Sequence, residues 1–216
     1  MRRSKQIKIV GILISFLAFP FIGSPNEPYL PLNDKHSASN YFSVYIMDKG
    51  QSTARDFRMM LLYYNPDLDP TKAETLANAY ILEANKEGVN QDIAFIQMCL
   101  ETGFLTYTGS VEPHQNNFGG LGAVNKTAKG EYFPDIQTGV RAHIQHLKAY
   151  ASTNALYNDL VDLRFRFVKR GIAPTIYDLP GKWAADKEYA NKLENLLTRL
   201  FQIRKRKELQ KPFGFI

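Results

Sequence analysis

A chain of 216 residues with a single cysteine, Cys99, can form no disulfide within itself, so its fold must be held by a packed core. The sequence has no HExxH and no paired-cysteine spacing, the patterns that most directly signal zinc. His143 and His146 stand three apart on one predicted helix face, with His114 as a conceivable third ligand, but the pattern reads as ordinary helix-surface histidines. No metal and no cofactor is expected. The most apolar run, Ile9 to Phe19, is 11 residues long, too short for a comfortable transmembrane helix. There is no internal repeat and no low-complexity tract. Positive charge is also scarce where it would matter. Residues 1–24 hold four cations and no anion, so without them the formal charge falls from +6 to +2. Nucleic acid is therefore not an expected partner.

What is present is ordinary globular composition, 44% hydrophobic and 22% charged, enough for one sizeable core. Twelve tyrosines and fourteen phenylalanines argue against disorder. Arg2, Arg3, Lys5 and Lys8 precede the apolar run, and Pro20 ends it, which is the layout of an export signal. Phe21-Ile22-Gly23-Ser24 is a mediocre cleavage site, so cleavage and a membrane tether through residues 7–22 both stay open. Either fate puts the protein outside the cytoplasm: periplasmic, in the cell envelope or extracellular. The basic run Arg204-Lys205-Arg206-Lys207 reads as a solvated helix end, where cations suit the helix dipole.

Helical patterns dominate from residue 52 onward. Ser52 is a predicted cap for a helix to about Tyr64. Asp69-Pro70 starts a second helix that Gly88 ends. Asn90 with Asp92 opens a third, which stops at Gly103. Glycines 109, 119, 120, 122 and 130 then mark loops, with Glu131 to Phe133 a plausible strand. Helices are expected again from Thr138, over about Leu156–Arg170, and over about Lys187–Lys207. Tyr41 to Met47 suits either an extended segment or an arm on the core. The expected organisation is a signal or anchor over 1–24, an extension with one helix over 25–69, a catalytic domain over 70–207 and a tail over 208–216. The architecture is mainly α, with a small irregular or β lobe inserted mid-chain. Glu101 would lie at the junction of lobe and helical body.

Glu101 is the residue with the most chemical content. It closes an almost wholly apolar stretch, Ile93 to Phe104. Burial disfavours a charged carboxylate, so its pKa should be raised. A carboxyl still protonated near neutral pH can serve as a general acid and protonate the leaving oxygen of a glycosidic bond.

Four segments then carry a resemblance. Leu100-Glu101-Thr102-Gly103 resembles the LE[ST]G element of the bacterial glucosaminidase family (glycoside hydrolase family 73), the peptidoglycan hydrolases of autolysins and flagellar muramidases. Asn116-Asn117-Phe118-Gly119-Gly120-Leu121-Gly122 is similar to its NNxFGIK-type segment. Phe133 to Leu147 resembles the passage leading into the family's next helix. Trp183-Ala184-Ala185-Asp186-Lys187-Glu188-Tyr189-Ala190 is similar to its closing YATDPxYA element. The likeness covers roughly residues 70–200.

The resemblance implies a lysozyme-like α+β fold. It implies cleavage of β-1,4 bonds after N-acetylglucosamine in peptidoglycan strands, by a monomer, with Glu101 as acid. Asn116, Asn117, Phe118, Gly119 and Gly122 would shape the sugar site, with Trp183 and Tyr189 stacking on sugar faces or sitting in the core. Trp183 stands where the family usually has Tyr, which leaves the role of that hydroxyl open. Glu131, Glu112 and Asp135 compete as second carboxylate, with Glu131 preferred as an assistant. Inversion, retention and attack by the substrate's own N-acetyl group all remain open. Two rivals share the fold: a non-catalytic wall-binding protein, and a lytic transglycosylase that forms an anhydro product.

Overall fold

A computed structural model describes residues 41–109, 111–123 and 130–209; the expected export signal and most of the approach segment lie outside these residues. Five α-helices occur among the described residues: α1 (Ala54–Tyr64), α2 (Pro70–Glu87), α3 (Gln91–Thr102), α4 (Ile136–Ala151) and α5 (Tyr189–Leu209). Short 3-10 turns lie at Pro113–Gln115, Phe165–Phe167 and Ile176–Asp178. The architecture is mainly helical, as the sequence pattern and the family resemblance implied.

Each helix start has a chemical reason. Thr53, not Ser52, caps α1, in a reciprocal pair with Asp56. Asp69 caps α2 with Pro70 at its first position. The Asn90 carboxamide accepts from Asp92 and Ile93 at the head of α3. Asp135 accepts from the Thr138 N–H and so starts α4 earlier than the Thr138 boundary expected. Each such cap stabilises by about 1 kcal/mol.

Helix α3 is the centre of the body. All of its residues but Leu100 are buried, and α2, α4 and α5 pack on it. Phe57 of α1 stacks on Phe95 of α3 with ring centroids 3.9 Å apart. The 41–47 segment is an arm on this core. Phe42 and Ile46 are buried, and Tyr45 bridges to Thr175. Cys99 is buried on α3.

Two expected elements are absent from the described residues. Glu131 to Phe133 is not a strand. It is held to the neighbouring loop by two backbone bonds, Glu131 N–H to Leu121 O at 2.8 Å and Phe133 N–H to Gln115 O at 2.9 Å. Residues 156–170 are not a helix either, and only Phe165–Phe167 make a 3-10 turn there. Their backbone donors are taken by side chains. Glu87 accepts from the N–H groups of Tyr157 and Asn158, and Gln145 Oε1 from those of Val161 and Asp162. An N–H held by a carboxylate is not available to a helix ladder.

Glu87 also receives the Lys148 ammonium at 2.9 Å, and both side chains are buried. Burial alone would raise its carboxyl, but the Asn158 and Tyr157 N–H groups and Lys148 outweigh it and hold the pKa below the ordinary value. A depressed pKa means stability present above the unfolded pKa and lost as pH falls through the folded one. Glu87→Ala orphans a buried cation and two amides together. The expected cost is about 3–5 kcal/mol, read as an earlier urea midpoint.

Candidate active site

Glu101 lies in the last turn of α3, which Gly103 ends in the left-handed conformation (φ +57°). Its side chain is 8% exposed. Two donors converge on one oxygen. The Trp183 indole N–H donates to Oε1 at 3.0 Å, and the Tyr189 hydroxyl donates to the same atom at 2.5 Å. Oε2 accepts no hydrogen bond from the described residues. Burial raises the Glu101 carboxyl to about 7, against the opposing pull of the Tyr189 and Trp183 hydrogen bonds. A proton held near neutrality belongs on Oε2, because Oε1 already serves two donors.

Trp183 and Tyr189 are therefore buried partners of the Glu101 carboxyl, the core placement of the two that the sequence left open. They are 6% and 2% exposed. Trp183 is walled by the rings of His143, His146 and Tyr150, at 5.3 to 5.7 Å between centroids. Its indole N–H occupies one side of Oε1, and the hydroxyl on Glu101 comes from Tyr189, six residues on.

The Asn-Gly segment has a different task from the one expected of it. Asn117 is fully buried. Its amide donates to the carbonyls of Leu121 and Glu131, and its Oδ1 accepts from the Leu121 N–H. Asn116 donates to Phe133 O, and Phe118 is in the core. A methyl on Gly119 would stand 2.8 Å from the His143 ring, so this glycine admits the close approach of α4. These side chains build the lobe from within. Gly122 (φ +75°) sits where a Cβ would come 3.1 Å from Glu131 Oε1.

Of the three carboxylates competing for the second role, Asp135 caps α4 and Glu112 pairs with Gln115 and His114. Glu131 is partly exposed, with Oε1 3.5 Å from the Arg164 guanidinium. Next to it Tyr132 is 61% exposed, an aromatic face that no motif singles out.

The histidines are not on the helix surface. His143 is fully buried between Tyr80 and Gln97, and His146 bonds Asp162 at 2.7 Å. His143 faces α2 and α3 through Tyr80 and Gln97, and His146 faces Trp183 and Asp162. Gln97 and Tyr80, missed in the sequence, belong to this same buried polar cluster. Their polarity on otherwise apolar faces was the one available signal.

Residues 77–202 match the family model for Glucosaminidase, mannosyl-glycoprotein endo-beta-N-acetylglucosaminidase. An uncharacterized protein of Borreliella burgdorferi is 45% identical over 177 residues, covering 82% of this chain and 86% of that protein. No solved structure matches the chain. The matched span contains Glu101, both of its donors and the Asn116 to Gly122 segment, and the chain belongs to the glucosaminidase family, a family of glycan hydrolases.

Proposed function

We propose that this protein is an exported endo-β-N-acetylglucosaminidase acting on peptidoglycan strands, with Glu101 as its general acid. The observation that carries the reading is the buried carboxyl held at Oε1 by two donors, with a pKa raised to about 7 and Oε2 without a hydrogen-bond partner among the described residues. Oε2 gives its proton to the oxygen leaving C1 of N-acetylglucosamine. The C1–O bond breaks, and positive charge builds on the sugar ring. Tyr189 and Trp183 stabilise the carboxylate that remains.

Glu131 is the assisting carboxylate, oriented by Arg164 and orienting water toward C1. Tyr132 offers its exposed ring to a sugar face. Asn116, Asn117, Phe118, Gly119 and Gly122 act by shaping the loop that carries Glu131. Glu131→Gln is expected to lower kcat by about 100-fold, less than loss of the acid itself, with KM little changed. The chain works as a monomer in the cell envelope, delivered by residues 1–24, with 70–207 as the catalytic unit.

The test is digestion of purified peptidoglycan by the full chain, followed by borohydride reduction and mass analysis of the products. Reduced N-acetylglucosamine ends support the reading. Anhydro ends would assign a lytic transglycosylase. Intact glycan that pellets with the bound protein would assign a wall-binding module.

A further inference from the structure

Glu101 is the end of a longer chain of hydrogen bonds. Tyr189 Oη receives the Gln97 amide N–H at 3.0 Å. Gln97 Oε1 meets His143 Nε2 at 3.0 Å, and His143 Nδ1 meets the Tyr80 hydroxyl at 2.7 Å. Helices α2, α3, α4 and α5 each contribute a link. Tyr80, Gln97 and His143 are fully buried and Tyr189 is 2% exposed, so water does not compete for these groups.

The direction of the chain follows from donor and acceptor counting. Tyr189 spends its one proton on Glu101, so its oxygen must receive one from Gln97. The Gln97 carbonyl then faces His143, which must carry its hydrogen on Nε2. That leaves Nδ1 to accept from Tyr80. In the reverse order the imidazole would donate to Tyr80, whose own O–H has no other acceptor among the described residues. A buried hydroxyl without a partner is costly, so the far end of the chain favours the forward order. Burial, with a smaller contribution from His146, holds the His143 pKa down to about 3, and the ring stays a neutral relay.

We propose that His143 is a positioning residue for Glu101: it holds the Gln97 amide in one orientation, which makes Tyr189 donate to Oε1 and leaves the acid's proton on Oε2. This rests on the reading of Glu101 as the acid. His143 touches no reacting atom and acts through two intervening side chains. The titratable groups around the chain are Asp186 beside Tyr189, His146 with Asp162 beside His143, and Cys99 and Tyr107 beside Tyr80.

The test is a carbon-13 NMR titration of the Glu101 carboxyl in the full chain, its resonance assigned by loss in Glu101→Gln. No substrate is needed, so the result stands whether or not the digest gives products. Tyr189→Phe removes a donor to the charged form and is expected to raise the midpoint by about one pH unit. His143→Leu frees Gln97 to turn its carbonyl toward Tyr189 and should raise the midpoint by roughly half a pH unit. His143→Gln keeps a donor facing Gln97 and should restore the wild-type midpoint. His143→Leu combined with Tyr189→Phe should move it no further than Tyr189→Phe alone, because both act through one bond. Where the digest is active, His143→Leu should lower kcat and leave KM unchanged. If His143→Leu does not fold, His143→Met removes the same Nε2 donor with a more adaptable side chain and should shift the midpoint upward likewise. An unchanged midpoint in a folded His143→Leu or His143→Met variant, or shifts that add in the double variant, would overturn the proposal.

Discussion

Glu101→Gln is expected to lower kcat by about 1,000- to 10,000-fold, the contribution of a positioned general acid, while the protein still sediments with peptidoglycan. The amide keeps an oxygen for Tyr189 and Trp183, so the surrounding geometry need not move. What it lacks is a transferable proton. Stability should change in the opposite sense. A carboxyl whose folded pKa is about 7 rather than 4.5 favours folding while protonated. That contribution is complete below pH 4.5 and is lost as pH rises through 7. At pH 8 a neutral amide in its place should therefore stabilise the fold by about 3 kcal/mol, and near pH 4 it should make little difference. Paired urea titrations at the two pH values read this directly. A variant that is less active and more stable only at high pH separates a strained acid from a merely structural carboxylate.

Gly139→Ala is the second large effect, and it acts through shape. Gly139 lies in the first turn of α4, against the loop carrying Asn116 to Gly122. A Cβ there would stand 1.9 Å from the Asn116 carbonyl oxygen. Backbone cannot yield as the tip of a side chain can, so either the loop or the helix must shift. The gain in helix propensity from Gly to Ala, about 1 kcal/mol, is too small to offset such a contact. The expected loss is about 3 kcal/mol or more, at the upper end of overpacking costs. Because Asn116 also holds Phe133, and Asn117 holds Glu131, the same substitution should displace Glu131, the carboxylate proposed to assist. Activity should fall even at temperatures where the variant is folded. Thermal unfolding together with peptidoglycan digestion at 15 °C distinguishes the two effects.

The helical body was readable because its signals are local. Asp69-Pro70, Asn90, Gly88 and Gly103 mark ends by short-range chemistry, and the structure places the bounds of α2 and α3 at those residues. Residues 156–170 were misread for the opposite reason. Their helical spacing is overridden by Glu87 and Gln145, more than ten residues away in the chain, which take the amides a helix would need. The apolar run around Glu101 pointed to its burial. Its partners did not show, because Trp183 and Tyr189 are 82 and 88 residues distant. An aromatic residue looks alike in sequence whether its polar atom faces a carboxylate or its ring faces a sugar. Asn117 illustrates the same limit: an Asn-Gly turn suggests exposure, and only the three-dimensional placement of the Leu121 and Glu131 backbone gives its amide buried partners.

The most direct test is the pH dependence of kcat/KM for peptidoglycan cleavage by the full chain between pH 5 and 9. An acid that must be protonated, with a pKa near 7, predicts activity that falls above about pH 7 by tenfold for each further pH unit. Activity that stays level up to pH 9 would contradict the assignment of Glu101 as the proton donor.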